Sequence, residues 1–157
     1  MHRNFQRSRK GFSLVELAVV VIIIGVLAAF GVPRFRDSVE RAKASEAVSF
    51  LSSIRSAQER YQARRGVYAS KVGDLDIAMQ APKYFRDSGG SAEVGNNTEI
   101  TVGTEAKNPT WSFTLVRDST SSSYGNYSVV FTQLGLDSTS TISSDTDLSA
   151  RINPLSN

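Results

Sequence analysis

Glu16 is the side chain that most needs a chemical explanation. It is the one charge in Phe12–Val32, a run of 21 residues reading FSLVELAVVVIIIGVLAAFGV. A carboxylate in an apolar span costs about 2.5–3.5 kcal/mol at mid-bilayer and less near the interface, so by default it marks function. The plainer reading is that it snorkels to the membrane surface. Other chemistry is scarce. The chain has no Cys, and its single His, His2, precedes the apolar run. Beyond that point Ser-His and Cys-His nucleophiles and imidazole or thiolate metal sites are excluded. Carboxylates, hydroxyls, Lys, Arg and Tyr remain. They show no spacing that suggests a catalytic constellation, so an enzyme is not expected. A carboxylate-pair hydrolase is the one mechanism those residues leave open.

The element that positions Glu16 is the apolar run itself. As a helix, 21 residues span roughly 31 Å, about one hydrocarbon core. Arg3, Arg7, Arg9 and Lys10 precede it without an acid, which keeps the N-terminus cytoplasmic and exports the rest. These four also explain the formal charge of +3, since without them 14 basic residues face 15 acidic ones. The body is near neutral, and nucleic acid is not an expected partner. A cleavable secretory signal competes as a reading, with Ala28-Ala29 as the cut site, but the run is long for one and continues as a helix. An ordinary signal anchor leaves Glu16 unexplained.

The stretch Arg9-Lys10-Gly11-Phe12-Ser13-Leu14-Val15-Glu16 resembles the cleavage and methylation motif of type IV prepilins and type II secretion pseudopilins. The shared pattern is a short basic leader, a Gly, an aromatic residue, three residues, a Glu and an apolar helix. Ser13 stands where Thr is common. The resemblance covers about the first third of the chain and extends to Gly25 and Pro33. It implies cleavage between Gly11 and Phe12 by a membrane prepilin peptidase, which also methylates the new amine of Phe12. Gly11, lacking a Cβ, leaves the backbone open to the peptidase. It further implies that Glu16 pairs with that amine on a neighbouring subunit and sets register during assembly. The segment from Gly25 to Pro33 is implied to melt as subunits pass from bilayer to filament; the alternative is a fixed kink. The implied partners are further copies of the chain in a helical filament, the peptidase, an inner-membrane assembly platform, and lipid before assembly. The implied location is the bacterial inner membrane, then an extracellular pilus or periplasmic pseudopilus.

Asp37 to Arg65 has neither Pro nor Gly and favours helix, with Gly66 as the stop and Arg64-Arg65 suited to the negative helix end. Phe35, Val39, Ala42, Ala47, Phe50, Leu51, Ile54, Ala57 and Tyr61 form an expected buried stripe. After Gly66, RGVYA resembles a turn common in pseudopilins. A short helix is expected near Asp74 to Met79 and a loop over Ser88 to Asn97. Strands are expected at Thr98–Gly103, Trp111–Val116 and Tyr127–Thr132, with a turn-rich Ser119–Asn126. Alternation in these strands predicts an antiparallel sheet on the long helix, with Trp111 in the core. Arg34 and Arg36 suit lipid headgroups or neighbouring acids. Arg60, Arg64 and Arg65 with Tyr61 read as a solvated helix end in preference to a DNA patch.

The Ser/Thr/Asp-rich end, LGLDSTSTISSDTDL, loosely resembles the calcium loop of major secretion pseudopilins. That likeness makes Asp137, Asp145 and Asp147 calcium candidates through hard oxygen ligands. The alternative is a solvated, partly flexible tail; no other cofactor is expected. The expected fold is α+β: a leader over 1–11, a transmembrane and polymerisation helix over 12–33, an amphipathic helical half over 34–66, and a β-rich head over 67–157. The expected function is a structural subunit of a type IV pilus-like filament. A major pseudopilin of a type II secretion system is the alternative within that class, and a signal-anchored periplasmic binding module or enzyme the alternative outside it.

Overall fold

A computed structural model describes residues 11–88, 93–103, 109–118, 120, 122 and 124–156. The leader expected over 1–11 therefore lies outside these residues except for Gly11. So do parts of the two expected loops at 88–97 and 119–126. The chain forms two units, 1–36 and 37–157. One helix, α1 (Leu14–Arg65, 52 residues), contributes to both and contains Pro33. In the first unit every described residue is exposed.

The second unit holds the core. Its five strands are β1 (Phe85–Asp87), β2 (Thr101–Val102), β3 (Trp111–Arg117), β4 (Ser128–Thr132) and β5 (Gly135–Leu136). The sheet is antiparallel, with order β1-β3-β4-β5 and β2 also on β3. The central register sets Phe113 opposite Phe131 and Leu115 opposite Val129. Alternation buries Trp111, Phe113, Leu115 and Arg117 on one face of β3, as a half-buried strand requires. These side chains and those of Val129 and Phe131 share a core with Ala44, Ala47, Phe50, Leu51, Ile54 and Ala57 of α1.

The buried face of α1 matches the expected stripe from Ala47 to Ala57 and departs from it at the N-terminal end. It reads Glu40, Ala44, Ala47, Phe50, Leu51, Ile54, Ala57 and Gln58. Phe35 is 69% exposed, and Val39 and Ala42 also face outward. An apolar count discards Glu40 and Gln58, yet both are buried because each finds fixed polar partners on the head. Gly66, with φ +77, ends the helix, and its N–H donates to the Gln62 carbonyl. That left-handed position explains the glycine.

Three other expectations change. The helix near Asp74–Met79 is instead a 3₁₀ turn at Val72–Asp74. It is fixed by the Val72 and Gly73 N–H groups donating to the Thr98 and Asn96 carbonyls. The strand expected over Thr98–Gly103 shrinks to β2, because Ile100 N–H turns to the Ser70 carbonyl and Glu99 bridges to Lys71. The C-terminal end is not a loose tail. It forms α2 (Thr141–Ser144) and α3 (Thr146–Ile152), which bury Ile142, Leu148 and Ile152.

Ser140 closes the open edge of β4. Fully buried, its hydroxyl accepts from Val130 N–H at 2.9 Å and donates to the Val130 carbonyl at 3.2 Å. The Val130 carbonyl also accepts from Asp137 N–H at 2.8 Å, so the side chain adds to what the backbone past β5 supplies. Ser140→Ala should strand the Val130 N–H and cost about 1–3 kcal/mol. Leu51→Ala, at a position with no exposure, should cost about 2–5 kcal/mol. Urea melts of the full chain in detergent, followed by Trp111 fluorescence, check both.

Candidate assembly site

The start of α1 is organised around Glu16. Ser13 precedes the helix, and its hydroxyl accepts from Val15 N–H at 3.3 Å. The Glu16 carboxylate reaches back to accept from Ser13 N–H at 2.9 Å. This is the reciprocal capping box, which satisfies two N–H groups that a helix start leaves without partners. The sequence carried the signal, Ser-x-x-Glu ahead of an apolar run, but the expectation gave Glu16 only an intermolecular partner. Within one chain the carboxylate caps its own helix, one residue from the Phe12 nitrogen. Cleavage at Gly11 would turn that nitrogen into an amine.

Phe12 is 77% exposed. A Cβ on Gly11 or on Gly25 would meet nothing within 4 Å. Packing within the chain therefore demands glycine at neither place. In a helix interior such as that around Gly25, glycine is about 1 kcal/mol weaker than Ala. Leu14–Arg65 contains a stretch long and apolar enough to cross a membrane, and none of that stretch is buried. An aliphatic surface this large has to be covered by lipid or by other helices.

The three acidic candidates near the C-terminus do different local jobs. Asp137 accepts from the Thr139 N–H and hydroxyl at 2.7 and 2.6 Å, bonds that hold its carboxyl below the usual range. Asp145 caps α3, accepting from the N–H groups of Asp147 and Leu148. Asp147 pairs with Arg151 at 3.4 Å. Among the described residues no group of three His, Cys, Asp or Glu side chains is placed to hold a metal ion. The basic helix end is engaged locally as well. Arg60 donates to the Asp76 carbonyl, Arg64 to the Arg60 carbonyl, and Arg65 lies over the Tyr61 ring.

Two clusters escaped the sequence reading. Arg117, with no exposure, donates from Nε to Glu40 Oε1 at 2.6 Å and from Nη2 to Oε2 at 3.3 Å. The Tyr127 hydroxyl donates to the same Oε1 at 3.0 Å. Burial first, then the charge and hydrogen bond of Glu40, push the Tyr127 phenol well up. On the surface, Arg151 donates to Asp37 at 2.9 Å, and Tyr124 also donates to Asp37, fastening α3 to α1. No local pattern announces either cluster, since the partners are 77 to 114 residues apart.

The second unit is α+β, and α1 carries a stretch long and apolar enough to cross a membrane. The family described as the prokaryotic N-terminal methylation motif matches residues 6–32. In this motif and in the relatives it matches, the chain is similar to type IV pilins. It is 33% identical over 94 residues to the fimbrial protein EcpC of Eikenella corrodens, covering 60% of this chain and 61% of that one. It is 30% identical over 103 residues to the type IV major pilin protein PilA of Myxococcus xanthus, covering 63% and 47%. The type IV major pilin protein PilE of Neisseria gonorrhoeae is 38% identical over 82 residues, covering 50% and 49%. The chain thus spans about half to three fifths of the length of these relatives. No solved structure matches it significantly.

Ser13→Ala should remove one half of the capping box and weaken the first turn by about 1 kcal/mol. Faster exchange of the Leu14 to Leu17 amides in detergent-solubilised protein, with the head unchanged, would show it.

Proposed function

We propose that this chain is a structural subunit of a type IV pilus-like filament, cut between Gly11 and Phe12 and assembled through α1. The observation that carries the reading is the first unit: an apolar, uncovered helix whose one carboxylate sits at its very start, four residues beyond Phe12. Lipid covers that surface before assembly, and the helices of other copies cover it afterwards. Exchanging one apolar cover for another changes little in hydrophobic energy, so specificity falls to Glu16. A free amine at Phe12 of a neighbour is the group that Glu16 could accept in place of its own Ser13 N–H. The partners under this reading are a prepilin peptidase with methyltransferase activity, an assembly platform in the inner membrane, and further copies of the chain. The leader stays cytoplasmic and the head is exported. The role is structural, not catalytic.

The pilin and fimbrial names of the relatives favour a pilus over a secretion pseudopilus. Gly25 and Pro33 lie in α1, which is helical through both. Their weak helix propensity supports local melting of this stretch on assembly. Calcium at Asp137, Asp145 and Asp147 keeps only the support of ligand type.

Intact-mass analysis after coexpression with a prepilin peptidase tests the proposal. The native chain should begin at N-methylated Phe12. Gly11→Ala should stay largely full length. Glu16→Ala should be cleaved but yield few sheared filaments. A native chain left uncut, or cut near Ala29, would overturn the proposal.

A further inference from the structure

The face of α1 that meets the sheet begins and ends on polar side chains. Glu40 is its first buried residue and Gln58 its last, and between them lie only Ala44, Ala47, Phe50, Leu51, Ile54 and Ala57. Eighteen residues make five turns, so Glu40 and Gln58 share one side of the helix about 27 Å apart. The apolar stretch between them is half alanine and repeats every three or four residues. A slip of one turn would still set apolar side chains against apolar ones, with the misfit of Phe50 or Leu51 at an alanine position as its cost.

The ends are less forgiving. At one end two Arg117 nitrogens grip both Glu40 oxygens. Arg117 is itself fixed by the carbonyls of Tyr84 and Asp118 at 3.1 and 2.9 Å and lies over the Tyr84 and Phe85 rings. At the other end the fully buried Gln58 amide pairs with both backbone groups of one residue. Its Nε2 donates to the Ala69 carbonyl at 2.8 Å, and its Oε1 accepts from Ala69 N–H at 2.9 Å. A one-turn slip, about 5.4 Å, would leave a guanidinium, a carboxylate, a phenol and an amide buried without partners, which none of them tolerates.

We propose that Glu40 and Gln58 are two register pins locking α1 onto the sheet, and that they release unequally. The Glu40 pin is ionic and opens on acidification, while the Gln58 pin contains no titrating group and holds. Acid then frees the α1 segment beside Glu40 while the far end stays docked. This inference concerns the head unit and does not depend on the filament reading.

The charged surroundings support the sign. Facing Glu40 are Arg117 from β3, Tyr127 ahead of β4, and Lys43 one turn along α1 at 3.4 Å. Tyr84, ahead of β1, lies against both Lys43 and Arg117. One turn back, Asp37 is paired with Arg151. Burial raises the Glu40 carboxyl, but the hydrogen bonds of Arg117 and Tyr127 and the charges of Arg117 and Lys43 outweigh it and hold the group below its ordinary 4.5. A depressed carboxyl contributes its full stabilisation above that ordinary value and loses it as pH falls through the folded one. Asp118, held at about 2 by Thr120 and Arg86, follows the same sign. A variant at Glu40 itself must therefore separate the two.

Hydrogen exchange of the full chain in detergent micelles, corrected for intrinsic rates, tests the proposal at pH 7 and pH 3. In the native chain, protection over residues 37–47 should fall at pH 3, well below the ordinary carboxyl value of 4.5, while residues 54–62 keep theirs. Glu40→Gln should show the lowered protection already at pH 7 and no further response. The double variant Glu40→Leu with Arg117→Met replaces the pair by apolar groups, so it should fold and also lose the response. Equal loss at both ends of the native helix segment would overturn the proposal. So would an acid response that survives in Glu40→Gln or in the double variant, because Asp37 or Asp118 would then be its source.

Discussion

A guanidinium with no solvent exposure is a constraint that the whole head has to satisfy. Arg117 ends the central strand on its inward face, where the alternation of β3 would otherwise set another apolar side chain. Its charge stays inside because Glu40 of α1 supplies a carboxylate in two-pronged geometry and two carbonyls accept from Nη1. Removing one partner of such a pair leaves a buried charge and costs about 3–5 kcal/mol, whereas replacing both is often harmless. The pair therefore contributes less to net stability than to specifying which residue of α1 faces which strand. Tyr127, from ahead of β4, and Lys43, one turn along α1, complete the same arrangement.

The first unit follows a different logic. None of its described residues is buried. The long apolar run satisfies its own backbone as helix, the one structure besides a closed barrel that hydrocarbon tolerates. Its lone carboxylate is stabilised at the helix start, where N–H groups are free to meet it and the helix dipole favours an anion. The capping box gives Glu16 a resting partner, and the proposed role in assembly is an exchange of that partner for another.

Much of this was legible in order. The α+β class, the long helix, the cores of β3 and β4, and the burial of Trp111 follow from period and from turn residues. The exceptions have physical causes. The stripe on α1 held from Ala47 to Ala57 but missed Glu40 and Gln58, because both count as polar and only partners on the head make them interior. β1 and β5 have three and two residues, too few to show a period, and exist because β3 and β4 offer them an edge. The C-terminal end looked like a solvated acidic tail. Its helices depend on Ile142, Leu148 and Ile152 finding a core, and on Arg151 finding Asp37.

The sequence alone determined the N-terminal part of this protein, because every signal there is local. Apolar length, the preceding basic residues, Gly11 beside Phe12, and Ser13 three residues before Glu16 all act within a few turns of one helix. Only the tertiary structure decided how the head is locked: Glu40 with Arg117, Gln58 with Ala69, Ser140 with Val130 and Asp37 with Arg151. These pairings have no sequence period. They exist because a buried polar group must be matched, and the match comes from whichever distant segment the fold brings within about 3 Å.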